Sequence, residues 1–194
     1  MSRQEFDNSY NGEEFVEKCC LLDHESYQFI IRWLPSTSLT IRERGFVEAA
    51  RCGNIQILKL LYYVISRNYT GAQLKRWIET TPDIAAACVV ERSRSLWCHS
   101  SSFRDDVLDS ALFIALYTSQ NEVVEFMLEY CPPMNVREEH VVAATTDTQR
   151  RLLVAKMKLD RRVRQCASCF GVGIKLVAVL TVGVCIYLMI WQII

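Results

Sequence analysis

GFVEAARCGNIQILKLL, residues 45–61, carries two helices and the turn between them. A short helix runs up to Gly53, and glycine suits the left-handed position that closes a helix. A second helix begins at once, with Ile55, Leu58 and Leu61 recurring on one face. Ala49 and Ala50 are small enough to let a neighbouring helix approach closely.

A second copy lies downstream as LDSALFIALYTSQNEVVEFML, residues 108–128. Ile57–Leu61 aligns with Val123–Met127 at an offset of 66 residues, and the turn glycine becomes Ser119. The pattern of two alanines, a glycine turn and a Val-Val-Lys-Leu-Leu-like helix resembles the ankyrin repeat, whose period is about 33 residues, half this offset. The Thr-Pro-Leu-His signature of that family is absent. The resemblance covers roughly residues 15–145, with two recognisable units. A middle unit falls on residues 72–79 and 83–91, around Pro82, and a last pair on 137–145 and 147–164. Phe15-Val-Glu17 echoes Phe46-Val-Glu48, so residues 15–34 read as a degenerate first unit.

The resemblance implies an all-α fold of stacked helical hairpins that binds a protein partner along its loops. The longest loop is SRSLWCHSSSFRDD, residues 93–106, long for a connection within a compact domain. Trp97 and Phe103 are its candidate partner-binding side chains, and Trp97 packing back onto the stack is the alternative. Ahead of residue 45, residues 1–13 read as a flexible lead. Phe15, Val16, Cys19, Cys20 and Leu22 suggest one short helix, and Tyr27 to Leu34 a second, stopped by Pro35.

Leu176–Ile194, LVAVLTVGVCIYLMIWQII, is 19 residues without charge or proline. As a helix it would span ~28 Å, about the thickness of a bilayer core. Residues 150–175 hold eight basic residues and one acid, Asp160, while residues 1–149 carry seven net negative charges. Basic residues stay cytosolic, so a single C-terminal span is expected with the N-terminus in the cytosol. Lys156, Lys158, Arg161, Arg162 and Arg164 form a collar suited to anionic headgroups, each contributing about 1 kcal/mol near the surface. The acidic body argues against nucleic acid. The N-terminus shows no apolar signal region, so insertion by the tail is expected. An endoplasmic reticulum or other endomembrane location is preferred over the mitochondrial outer membrane. The expected layout is a lead (1–13), a helical-repeat domain (14–147), a basic juxtamembrane segment (148–169) and a transmembrane tail (170–194).

No catalytic constellation emerges, and no cofactor or metal is expected. His24, His99 and His140 are scattered, and no second cysteine pair completes a zinc set with Cys166 and Cys169. Those two thiols, beside the tail, are candidates for palmitoylation, with plain free thiols the alternative. The nine cysteines are irregularly spaced and read as reduced. Cys52, beside Arg51, reads as a small buried filler. Asn68-Tyr69-Thr70 matches the glycosylation pattern and is expected to stay unmodified in a cytosolic body. Gly171, Gly173, Ala178 and Gly183 leave homo-oligomerisation open.

The preferred expectation is a tail-anchored adaptor binding a protein partner. One rival is a tail-anchored apoptosis regulator of the Bcl-2 type, whose Asn-Trp-Gly-Arg and Leu-x-x-x-Gly-Asp motifs are missing here. The other is a membrane-bound enzyme, for which no specific residues speak.

Overall fold

The computed structural model describes residues 8–84, 87–88, 104–131 and 136–162. The chain divides into two compact units, one ending at Leu153 and the other starting at Val154. Among the described residues all regular structure is helical, in line with the expected class. The helices are α1 (Asn8–Lys18), α2 (His24–Trp33), α3 (Leu39–Cys52), α4 (Ile55–Ser66), α5 (Gly71–Thr80), α6 (Asp105–Tyr117), α7 (Asn121–Tyr130) and α8 (Glu138–Ala143). Residues 147–162 are helical as well.

Side-chain caps explain several of the starts. Asp23 accepts from the Ser26 N–H at 2.7 Å and from its hydroxyl at 2.9 Å. Ser38 caps α3 through the Ile41 N–H at 3.3 Å, and Asn54 caps α4 through the Ile57 N–H at 3.2 Å. Thr70 and Gln73 form a reciprocal capping box on α5. Each cap contributes about 1 kcal/mol by satisfying an otherwise orphaned N–H.

The two recognisable copies share one turn. Gly53 has φ 76° and Ser119 φ 61°. Asn54 N–H donates to Ala49 O at 2.9 Å, and Gln120 N–H donates to Ala115 O at 2.9 Å. Serine therefore takes the left-handed position that the glycine holds, and its hydroxyl lies 2.7 Å from the Thr145 hydroxyl. The sequence departure at Ser119 is not a departure of the backbone. Gly53→Ala is expected to cost about 1–2 kcal/mol, because its φ is costly for any residue with a Cβ. An added Cβ would also stand 2.3 Å from Gln120 Oε1, a flexible group that can swing away. Chemical denaturation should therefore show the loss persisting in a Gln120→Ala background; full rescue there would make the contact, not φ, the cause.

The core repeats with the same offset. Phe46, Ala49, Ala50, Leu58 and Leu61 are 0% exposed, and so are Leu112, Ala115, Leu116, Val124 and Met127. Helix α3 packs on α4, on α1 and on α6, while α8 packs on α6. The α3–α6 contact is direct, although the whole segment expected as a middle unit separates them in sequence. Gly45, Ala49 and Ala50 on α3 and Ala111 and Ala115 on α6 are small buried residues that suit such an approach. Helix α5 is present but packs on the 3-10 turn Leu34–Ser36. Its first residue, Gly71, lies so near that an added Cβ would stand 2.5 Å from Pro35 O.

Pro35 ends α2 at Trp33, as expected, and the chain continues into that 3-10 turn. Arg42 is buried beneath it, donating from Nη2 to Leu34 O at 3.1 Å and from Nε to Thr37 Oγ1 at 3.1 Å. Helix α1 begins inside the stretch expected as a flexible lead. Gly12 is buried there, with the Ile41 side chain 2.9 Å from where a Cβ would stand. Glu13 accepts two hydrogen bonds from Arg44, at 2.8 and 2.9 Å. Among the described residues no helix is long and apolar enough to cross a membrane. Residues 176–194 lie outside the described residues.

Candidate functional site

Each hairpin turn is tied to the turn before it. Asn54 Nδ2 donates to Cys19 O at 3.2 Å and to Leu21 O at 2.7 Å. Gln120 Nε2 donates to Arg51 O at 3.4 Å, and Thr145 Oγ1 donates to Leu116 O at 3.0 Å. These bonds bring the C-terminal ends of α1, α3 and α6 and the segment after α8 to one edge of the body.

Large apolar side chains stand uncovered at or beside these turns. Leu22 is 77% exposed, Tyr117 79% and Val142 84%. The sequence places Leu22 in the first helix, but α1 stops at Lys18 and leaves it in the following loop. Single exposed apolar residues are ordinary, whereas a contiguous apolar patch marks an interaction surface.

The same edge holds Cys20, Glu48 and Cys52, whose donor atoms all lie within 4.8 Å of one another. Cys20 Sγ is 3.7 Å from Glu48 Oε2, and Arg51 Nε donates to that oxygen at 2.6 Å. Burial first, then the hydrogen bond and charge of Cys52, push the Cys20 thiol up to about 12. Cys20 is therefore protonated and a poor nucleophile at neutral pH. Cys52, expected as a buried filler, is only half-buried.

Two other polar clusters are structural in character. His140 is fully buried, with Nδ1 accepting from the Arg137 N–H at 2.9 Å. Nε2 therefore carries the proton of the neutral ring. It sits 3.0 Å from Asp109 Oδ1, at ion-pair range but off the line of a hydrogen bond. Desolvation outweighs Asp109 and holds the imidazole below its ordinary pKa. The Phe113 ring packs on it at 4.4 Å. Arg137 also pairs with Asp109, so this cluster joins α8 to α6. Glu43 is buried on α3, with Arg104 Nη1 3.9 Å from one carboxylate oxygen. Burial pushes its carboxyl up.

Of the residues singled out from sequence, Trp97, Phe103, Arg164, Cys166 and Cys169 lie outside the described residues. Lys156, in the second unit, pairs with Asp160 at 3.4 Å, while Lys158, Arg161 and Arg162 are exposed. His24 and His140 are described and lie on different helices, α2 and α8. The chain matches no family model, no curated protein and no solved structure.

Proposed function

We propose that the protein is a membrane-anchored adaptor whose helical body captures a protein partner. Residues 176–194 hold it at the membrane, and the basic residues before them face anionic headgroups on the cytosolic side. The body is read as a degenerate ankyrin-like stack. The repeated turn and core at an offset of 66 residues support that reading. The observation that carries partner capture is the exposure of Leu22, Tyr117 and Val142, each at or beside one of the linked turns. These three residues can be changed without altering residues 93–106, so the two candidates can be tested apart.

Affinity capture with the full chain tests this. The triple variant Leu22→Ser, Tyr117→Ser, Val142→Ser should lose the partners that the unaltered chain retains, with its helical circular dichroism unchanged. If the triple variant keeps them and deletion of 93–106 removes them, the loop is the binding surface. If neither change alters capture, the adaptor reading falls.

Anchoring is tested separately. An arginine at Val182 is expected to cost about 2.5–3.5 kcal/mol of insertion free energy. Val182→Arg should thus shift the protein toward the soluble fraction of lysed cells, and deletion of 176–194 should complete the shift. Protease added to intact microsomes should digest the body. Glycan on Asn68 would show the opposite topology.

A further inference from the structure

We propose that Cys20, Glu48 and Cys52 form a zinc-class metal site that clamps the turn after α1 to the end of α3. The three donors come from both sides of a joint between hairpins, and all lie within 4.8 Å of one another. Around a tetrahedral zinc ion, with Zn–S near 2.3 Å and Zn–O near 2.0 Å, a sulfur and an oxygen ligand stand about 3.5 Å apart. Cys20 Sγ and Glu48 Oε2 already stand 3.7 Å apart. The pair is therefore spaced for a shared ion before any ion arrives.

The donor chemistry selects the ion. Two thiols and one carboxylate suit zinc, whereas calcium and magnesium prefer all-oxygen sets. Binding would release the two thiol protons and give a set of three anions around a dication. The remaining single negative charge is balanced by Arg51, which already donates to Glu48 at 2.6 Å and lies 3.7 Å from Cys20 Sγ. Arg51 holds the same oxygen, Oε2, that stands 3.7 Å from Cys20, and a carboxylate oxygen has a second lone pair with which to meet the ion. That is the supporting contact that orients metal-binding carboxylates. All three residues are half-buried, which leaves the fourth coordination position open to water.

The inference does not rest on the adaptor reading. The full chain, reduced and freed of metal with a chelator, is titrated with cobalt as a spectroscopic stand-in for zinc. One equivalent should produce a thiolate-to-cobalt charge-transfer band that zinc then abolishes. Cys20→Ser and Cys52→Ser should each remove it. Glu48→Gln should keep the band but weaken binding at least tenfold. The double variant Cys166→Ser, Cys169→Ser should leave it intact. No band at excess cobalt, a band surviving the loss of Cys20 or Cys52, or a band lost with Cys166 and Cys169 overturns the proposal. A Cys20–Cys52 disulfide in freshly isolated, metal-free protein does so too. Should a serine variant lose its helical circular dichroism, Glu48→Gln decides alone, and unchanged affinity there overturns the site.

Discussion

Leu58→Ala is expected to destabilise the helical body by about 2–5 kcal/mol, the range for deleting most of a fully buried leucine. Leu58 is 0% exposed on α4, a helix packed on both α3 and α7. The cost has two parts: the lost transfer of the side chain from water and the void left behind. A helix held on two sides relaxes poorly into a void, which places the loss in the upper half of that range. Lys59, the next residue, is the control. Its ammonium sits 5.8 Å from the centre of the Phe126 ring. Such a contact at a part-exposed site contributes about 0.5–1 kcal/mol, so Lys59→Ala should cost no more than that. Val124→Ala tests the repeat, because Val124 occupies the Leu58 position of the second hairpin and is also 0% exposed. It should cost less than Leu58→Ala, since fewer carbons are removed, but clearly more than Lys59→Ala. Denaturant midpoints of the full chain in mild detergent would rank the three. Equal and small losses at Leu58 and Lys59 would mean that the buried face of α4 is misassigned.

The repeated hairpin was legible because apolar periodicity reports directly on a buried face. Leu58 and Val124 both proved buried for that reason. The turn was legible at Gly53 and obscure at Ser119. A glycine advertises a left-handed φ, while a serine reaching the same φ leaves no compositional trace. The direct packing of α3 on α6 could not be read. The segment between the two hairpins, residues 67–104, is close to one repeat long, and length alone says nothing of whether a segment is inserted in a stack or set aside from it. Helix α5 lies on Leu34–Ser36 through a close approach at Gly71, and that depends on where the 3-10 turn falls.

The exposure of Leu22 was hidden for a different reason. Leu22 fits the apolar spacing of the first helix, and only the end of α1 at Lys18 takes it out of the core. The cluster of Cys20, Glu48 and Cys52 unites residues about one repeat apart. It exists because α1 packs on α3, a tertiary fact that spacing cannot express. Buried polar residues are the least legible of all. Arg42 and Asn54 are satisfied largely by backbone carbonyls, and every residue has one, so no partner can be found by scanning side chains.

Asn54 yields the second large effect, and the direction of one substitution separates two explanations for it. Its side chain makes three hydrogen bonds at a position 3% exposed. Oδ1 caps α4, and Nδ2 donates to Cys19 O and Leu21 O. Removing the cap costs about 1 kcal/mol. Leaving buried carbonyls without donors adds about 1–3 kcal/mol, toward the lower end because Leu21 is 46% exposed and water can reach its turn. Asn54→Ala should therefore cost about 2–4 kcal/mol. Gln120 holds the same turn position in the second hairpin but makes one long bond of 3.4 Å and no cap. Gln120→Ala should cost well under 1 kcal/mol, as a single marginal bond does. The deciding variant is Asn54→Asp. Aspartate caps helices as well as asparagine does, so if capping were the whole role, stability would be unchanged. Aspartate has no N–H₂ to offer, however, and would turn a second oxygen toward the Cys19 and Leu21 carbonyls. Asn54→Asp is thus expected to be at least as destabilising as Asn54→Ala, with faster hydrogen exchange in α1 and α2. A near-neutral Asn54→Asp would show that the tie between the first two turns contributes little and that the cap accounts for the residue.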